Sequence, residues 1–244
     1  MGRFLLKIAY DGTNYHGWQV QPNGITVQSV LCQKLSEMCK EQVSVTGCSR
    51  TDAGVHAKEF FCHFDTKLDI PENAFVKGLN AVLPKDISVL GCSRVTDDFH
   101  ARYSAKGKNY IYCFYDGEVP NPFYSRYALS VSQKIDVDLM NKFCKKLIGT
   151  HDFCGFSSSK RTVTDTVRTV SECYASREGD FVKLSITADG FLYNMVRIIA
   201  GTALEVSRGK INPDDIDKII KSKNRDAAGT TLLPHGLFLN KVIY

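Results

Sequence analysis

The chain has 244 residues, 43% hydrophobic and 23% charged, which is ample for a buried core and permits one large domain or two small ones. No apolar run approaches the roughly 20 residues of a membrane helix, and Met1-Gly2-Arg3-Phe4-Leu5-Leu6-Lys7 breaks into charge too soon for a secretory signal, so a soluble, cytoplasmic protein is expected. The net charge of +5 and pI of about 8.6 fall short of the basicity, above about 9, that announces a nucleic-acid binder by itself.

Arg3 to Tyr10 reads as a strand closed by Asp11-Gly12. Thr26 can cap a helix whose Val27, Val30, Leu31, Leu35 and Met38 fall on one face. Gln42 to Val45 alternates polar and apolar, and Phe60, Cys62 and Phe64 alternate with Phe61, His63 and Asp65, so strands are expected on both sides of a glycine-bounded loop. Pro71 opens a helix carrying Ala74, Phe75, Leu79 and Val82, Pro84 stops it, and Ile87 to Val95 is a further strand. The order is βαββαβ.

A second copy of that order follows, with a strand over Asn109 to Tyr115 and a helix over Asp136 to Ile148 stopped by Gly149. Strands Thr164 to Ala175 and Phe181 to Ala188 flank the turn Arg177-Glu178-Gly179-Asp180. Phe191 to Val206 reads as a buried helix, Pro213-Asp214-Asp215 starts a short one, and Leu237 to Ile243 closes with a strand. The fold class is therefore α+β: two ferredoxin-like halves, residues 1–104 and 105–244, whose antiparallel sheets flank a central cleft. Phe156 to Arg161 is the flexible-looking insertion.

The loop Gly47-Cys48-Ser49-Arg50-Thr51-Asp52-Ala53-Gly54-Val55-His56-Ala57 places a carboxylate, Asp52, beside a guanidinium, Arg50, on a scaffold of strands. Rigidly held loops are where chemistry tends to sit. Taken alone, the same residues also suit a turn in which Asp52 bonds its own backbone. A hydrolase with Ser49 as nucleophile and His56 and Asp52 as partners is a weaker alternative, because no nucleophile elbow surrounds Ser49.

The nine cysteines are odd in number, scattered, and nowhere spaced Cys-x-x-Cys, which argues for reduced core thiols rather than disulfides or zinc. Cys62 and His63, adjacent on an alternating strand, point to opposite faces, so a cluster with His56 is not expected and no metal is predicted. From His100 to Tyr115 the chain carries Arg102, Lys106 and Lys108 without an acid, interleaved with Tyr103, Tyr110, Tyr112 and Tyr115. Cations among aromatics suit phosphates and bases, although lysines on a solvated strand edge give the same pattern.

Arg50-Thr51-Asp52-Ala53-Gly54-Val55-His56 resembles the signature of the tRNA pseudouridine synthase A family. Further blocks in the same order are similar to that family: Tyr10 to Gln19, Lys108 to Tyr112, Gly149 to Phe153, Gly190 to Arg197, and His235 to Leu239. The resemblance implies the pseudouridine synthase fold and cofactor-free isomerisation of uridine to pseudouridine in tRNA, at positions 38, 39 and 40 of the anticodon stem-loop. It also implies a homodimer that shares one tRNA.

By the same resemblance Asp52 is the essential carboxylate, Arg197 its charge partner, Tyr110 the residue that stacks on the uracil, and Arg50 the one that takes part in extruding the base. Burial alone would neutralise a carboxylate, and a guanidinium favours its charged form. His56, Arg102, Lys106 and Lys108 are expected among the substrate contacts, with Arg126, Lys160 and Arg161 on phosphates. The sequence departs from the commonest family pattern at Cys48-Ser49 and at Ala228 to Pro234, which leaves a paralogue acting on other uridines open. A non-catalytic tRNA-binding or folding module is the alternative from a different class.

Overall fold

Phe4, Leu6 and Ile8, all without exposed surface, mark the inward face of β1, Gly2–Tyr10, in the computed structural model, which describes residues 1–158 and 164–244. α1, Val27–Cys39, starts at Thr26: the Thr26 hydroxyl accepts the Ser29 N–H, and Ser29 Oγ accepts the Thr26 N–H. Two helix-end donors are thereby satisfied. The short β2, Val45–Gly47, begins later than the alternation at 42–45 suggests. Val43 donates its N–H to Ser36 Oγ at 2.9 Å, which takes that residue out of strand pairing.

β3, His56–Thr66, pairs antiparallel with β1 and β2, and β4, Ile87–Val95, pairs antiparallel with β1 on its other side. α2, Glu72–Val82, follows Pro71 and buries Phe75 and Leu79, while Val82 faces water. Phe75 meets Phe4 at 4.8 Å and Phe64 at 5.3 Å between ring centroids, the aromatic centre of this unit's core.

A second compact unit spans Gly107–Leu237. It opens with β5, Gly107–Tyr115, beside which β6, Leu129–Ser130, runs parallel. α3, Val137–Leu147, is capped by the Asp136 carboxylate and packs on β8 and α4. Gly149, at φ 112°, ends that helix and turns the chain into β7, Gly149–Asp152, a strand too short to show in sequence periodicity. β8, Val167–Glu178, and β9, Phe181–Ala188, complete the antiparallel order β5-β9-β8-β7.

α4, Met195–Ser207, is shorter than the expected helix over Phe191–Val206 because Asn194 adopts φ 60°, outside the helical region. α5, Ile216–Ser222, follows a 3-10 turn at Pro213–Asp215. At the end of β5 the buried Asp116 receives both Nη atoms of Arg177, at 2.9 and 2.7 Å, and the Ile135 N–H at 2.9 Å. Burial pushes this carboxyl up, but the Arg177 and Ile135 hydrogen bonds outweigh it and hold it at about 2.

The closing strand β10, Leu237–Ile243, corrects the expected division of the chain. Its residues from Phe238 onward belong with Met1–Lys106, and it lies parallel to β3 with Phe238 opposite His56 and Leu239 opposite Ala57. The Phe238 ring stacks on His56 at 4.7 Å, and the Ile243 carbonyl accepts the Lys106 N–H at 2.8 Å. The first unit thus has the order β4-β1-β3-β10 with β2 on β3, and both units are α+β with mainly antiparallel sheets. No helix among the described residues is long and apolar enough to cross a membrane.

Candidate active site

The loop between β2 and β3 stays joined to its own strand at the start: Cys48 donates its N–H to the Phe61 carbonyl at 2.8 Å, and its thiol is buried. At the tip, the Val55 N–H donates to the Asp52 carbonyl at 3.1 Å, and Gly54 takes φ 77°. The main chain thus closes the turn at the tip of the loop. Thr51 is buried, and its hydroxyl lies 2.8 Å from the Tyr10 hydroxyl.

The segment Tyr10 to Trp18 forms the wall against which the loop is held. Trp18 donates its N–H to the Thr51 carbonyl at 3.1 Å, and Gly54 donates to the Tyr15 carbonyl at 3.3 Å. Gly17, at φ 80°, has no room for a side chain, since a Cβ there would come 2.5 Å from the Thr51 carbonyl oxygen and 3.1 Å from the Asp52 carbonyl carbon. A Cβ on Gly12 would overlap the Val55 carbonyl. Trp18 stacks on Phe60 at 4.1 Å, fixing the wall to β3. Sequence reading finds this block as a motif but assigns it no role, because its contacts with the loop span about forty positions.

His56, expected on the substrate, is instead a supporting residue. It is 1% exposed, its Nδ1 accepts the Gly12 N–H at 3.0 Å, and its ring lies against Phe238. The same Nδ1 lies 3.0 Å from an Asp11 carboxylate oxygen. One nitrogen cannot both accept from Gly12 and donate to Asp11, and the placed N–H of Gly12 defines it as the acceptor, in a tautomer protonated at Nε2. Ser49 and His56 therefore do not form a nucleophile and base pair in which Nδ1 takes the proton.

Arg50 is exposed and shares the lining of one cavity of about 220 Å³ with Arg102 and Tyr103. Lys106 is exposed, and Lys108 is half-buried on β5. Arg126 is also exposed, whereas Lys160 and Arg161, with most of the insertion expected at 156–161, lie outside the described residues.

In the second unit Tyr110 is buried on β5, edge-on to Phe191 at 4.9 Å. Tyr112, two positions on, is completely buried and donates its hydroxyl to the Leu233 carbonyl at 2.8 Å. Burial pushes its phenol up, which marks it as a packing residue. Arg197 occupies the first turn of α4, tethered rather than snorkelling. Its Nε donates to the Leu232 carbonyl at 2.7 Å and its Nη1 to Asn194 Oδ1 at 2.8 Å, and its own carbonyl accepts the Leu232 N–H at 3.3 Å.

Asn194 is oriented in turn by donating Nδ2 to Ser158 Oγ at 2.8 Å. A guanidinium at the positive end of a helix favours an anion on both counts. The segment Ala228 to Pro234, where the family pattern changes, is thus the strap that holds Arg197 and Tyr112. It lies flat on α4 because Gly229 donates to Thr202 Oγ1 at 2.9 Å and a Cβ on Gly201 would overlap the Thr230 carbonyl.

Comparison with known proteins gives the same direction. A family model described as tRNA pseudouridine synthase matches residues 7–104 and 143–244. The chain is 48% identical over 244 residues to the tRNA pseudouridine synthase A of Bacillus licheniformis, covering 99% of each chain. It is 45% identical to the protein of that name from a Thermoanaerobacter species and 43% identical to "tRNA pseudouridine synthase A 2" of Clostridium perfringens, each over the full length of both chains. With its signature loop, its supporting wall and a match over most of its length, the chain belongs to the tRNA pseudouridine synthase family.

Proposed function

We propose that this isomerase converts uridine to pseudouridine at positions 38, 39 and 40 of the tRNA anticodon stem-loop, without a cofactor, and that Asp52 supplies its essential carboxylate. The observation that carries the reading is the Asp52 loop, whose turn is closed by the main chain and whose back is filled by Gly12 and Gly17. A carboxylate on so fixed a loop is preorganised for a reacting group. The reaction breaks the C1'–N1 bond, turns the uracil and joins C1' to C5; C5 gives up its proton and N1 ends protonated.

In this reading Arg197 is the charge partner that keeps Asp52 ionised, Tyr110 stacks on the uracil and moves the C5 proton, and Arg50 fills the stack the base leaves. Flipping costs a few kcal/mol, part of which that side chain offsets. Arg102, Lys106, Lys108 and Arg126 supply phosphate contacts, and the working form is a cytoplasmic homodimer.

The test is Asp52→Asn assayed on unmodified tRNA transcripts, with pseudouridine mapped by chemical labelling. Binding is expected to persist while the rate falls by at least about 10²–10⁴-fold. A silent substitution would refute Asp52 as the essential carboxylate, and a wild type that binds tRNA but forms no pseudouridine would favour a non-catalytic tRNA-binding module. The altered strap at Ala228 to Pro234 favours a second reading, a paralogue, which pseudouridine confined to positions other than 38 to 40 would establish.

A further inference from the structure

Residues His100 to Ser104 form a turn in which imidazoles take three of the backbone donors. Ala101 donates its N–H to His63 Nδ1 at 3.1 Å, and Arg102 and Tyr103 donate theirs to His100 Nδ1 at 3.1 and 3.2 Å. The His100 N–H goes to Ser104 Oγ at 3.0 Å, and the Ala101 carbonyl accepts the Tyr244 hydroxyl at 2.7 Å. So complete a set of bonds fixes two side chains that fold stability alone does not require there: Arg102, which is exposed, and Tyr103, which is 77% exposed.

The His100 ring backs Tyr103 at 4.2 Å and 32°, and the Arg102 guanidinium lies 5.8 Å from its centroid. Together with Trp18, Gly47 and Arg50, these residues line the cavity of about 220 Å³. That volume is below the roughly 300–1,000 Å³ of drug-sized sites and suits a single ring system. No carboxylate lines it, and Asp52 is not among its walls. An anion is therefore admitted, and with Asp52 as the reacting carboxylate of the reading above the target ribose lies outside this cavity.

An aromatic platform beside a guanidinium is the chemistry that holds one unpaired nucleotide. We propose that this cavity is a subsite for a nucleotide flanking the target uridine, with its base stacked on Tyr103 and its phosphate held by Arg102. The subsite rests on the isomerase reading above and extends it to a second nucleotide. Its members come from β2, the Asp52 loop and the turn after β4, so the flanking nucleotide is held beside the loop that carries the reaction and contributes to binding rather than to the chemical step.

The experiment uses an anticodon stem-loop RNA and derivatives made abasic at one nucleotide flanking the target uridine at a time. Tyr103→Ala is expected to weaken binding of the intact RNA by roughly 5- to 150-fold, the range for one stacked base. The single-turnover rate at saturating enzyme stays unchanged, and Tyr103→Trp restores binding. One abasic position costs the wild type the same factor and costs Tyr103→Ala nothing further. Wild-type binding by Tyr103→Ala, or equal abasic penalties in both proteins at every position, overturns the subsite. Failure of the isomerase reading shows separately, as a wild type that forms no pseudouridine in any transcript, and failure of the Asp52 assignment as pseudouridine formation that survives Asp52→Asn.

Discussion

A single methyl group on Gly17 would disturb the Asp52 loop more than many larger changes elsewhere. The residue takes φ 80°, disfavoured for any residue with a Cβ, and its neighbours across the gap are main-chain atoms of Thr51, Asp52 and Ala53 that cannot rotate away. Gly17→Ala is expected to lower kcat at least tenfold while leaving tRNA affinity within about twofold, measured by single-turnover kinetics and filter binding, because misplacing a reacting group by about 1 Å can cost 10²-fold. His63 gives a pH signature. Burial first, with the Arg3 and His100 charges behind it, lowers its pKa from 6.5 to about 4, so the fold keeps it neutral to accept the Ala101 N–H. The unfolded chain binds the extra proton between those values, so the stabilisation is whole above pH 6.5 and is lost as pH falls toward 4. Thermal unfolding from pH 7.5 to 4 should show a shallower loss for His63→Asn than for the wild type; identical slopes would exclude this origin. At this scale the sequence identified Asp52 and Arg50 as a pair on a loop, but the role of His56 was hidden, since only the fold brings Gly12 and Phe238 to its two sides.

The elements differ in how openly the sequence declares them. Thr26, Pro71 and Asp136 mark helix starts because capping is local chemistry, and β4, β9 and β10 match their periodic runs. β6 and β7 escape because two and four residues carry no period. The start of α4 is misread because Phe191 to Asn194 is apolar enough to pass for helix, and only the left-handed Asn194 sets the boundary that places Arg197 in the first turn. Across β5, β8 and the approach to α3, the Asp116 clamp joins elements that no local pattern connects. Asp116→Asn is expected to cost about 3–5 kcal/mol, the range for breaking a buried ion pair, read as a lowered midpoint in urea. The clamp's own acid loss is expected at lower pH than that of His63. With the carboxyl depressed from 3.8 to about 2, its contribution is full above pH 3.8 and disappears as pH falls through 2.

For the molecule as a whole, a modest net charge of +5 conceals an uneven distribution, with Arg102, Lys106 and Lys108 in one acid-free stretch and Arg50, distant in sequence, lining the same cavity as Arg102. If about six phosphates are neutralised, the logarithm of tRNA affinity should fall with the logarithm of salt at a slope of about −4 to −5. Titrations between 50 and 200 mM salt measure it, and a slope near zero would rule out phosphate-led binding. The βαββαβ order of the first unit was legible from end to end, but the membership of β10 was not, because parallel pairing with β3 is a contact between residues about 180 positions apart. That pairing has a consequence for synthesis. At about 5–20 residues per second, His56 is made roughly 10 to 35 s before Phe238 exists to cover it. Through that interval β3 presents an open edge next to the Asp52 loop, so a nascent chain waits, exposed to mispairing and to chaperones, for the strand that closes its first unit.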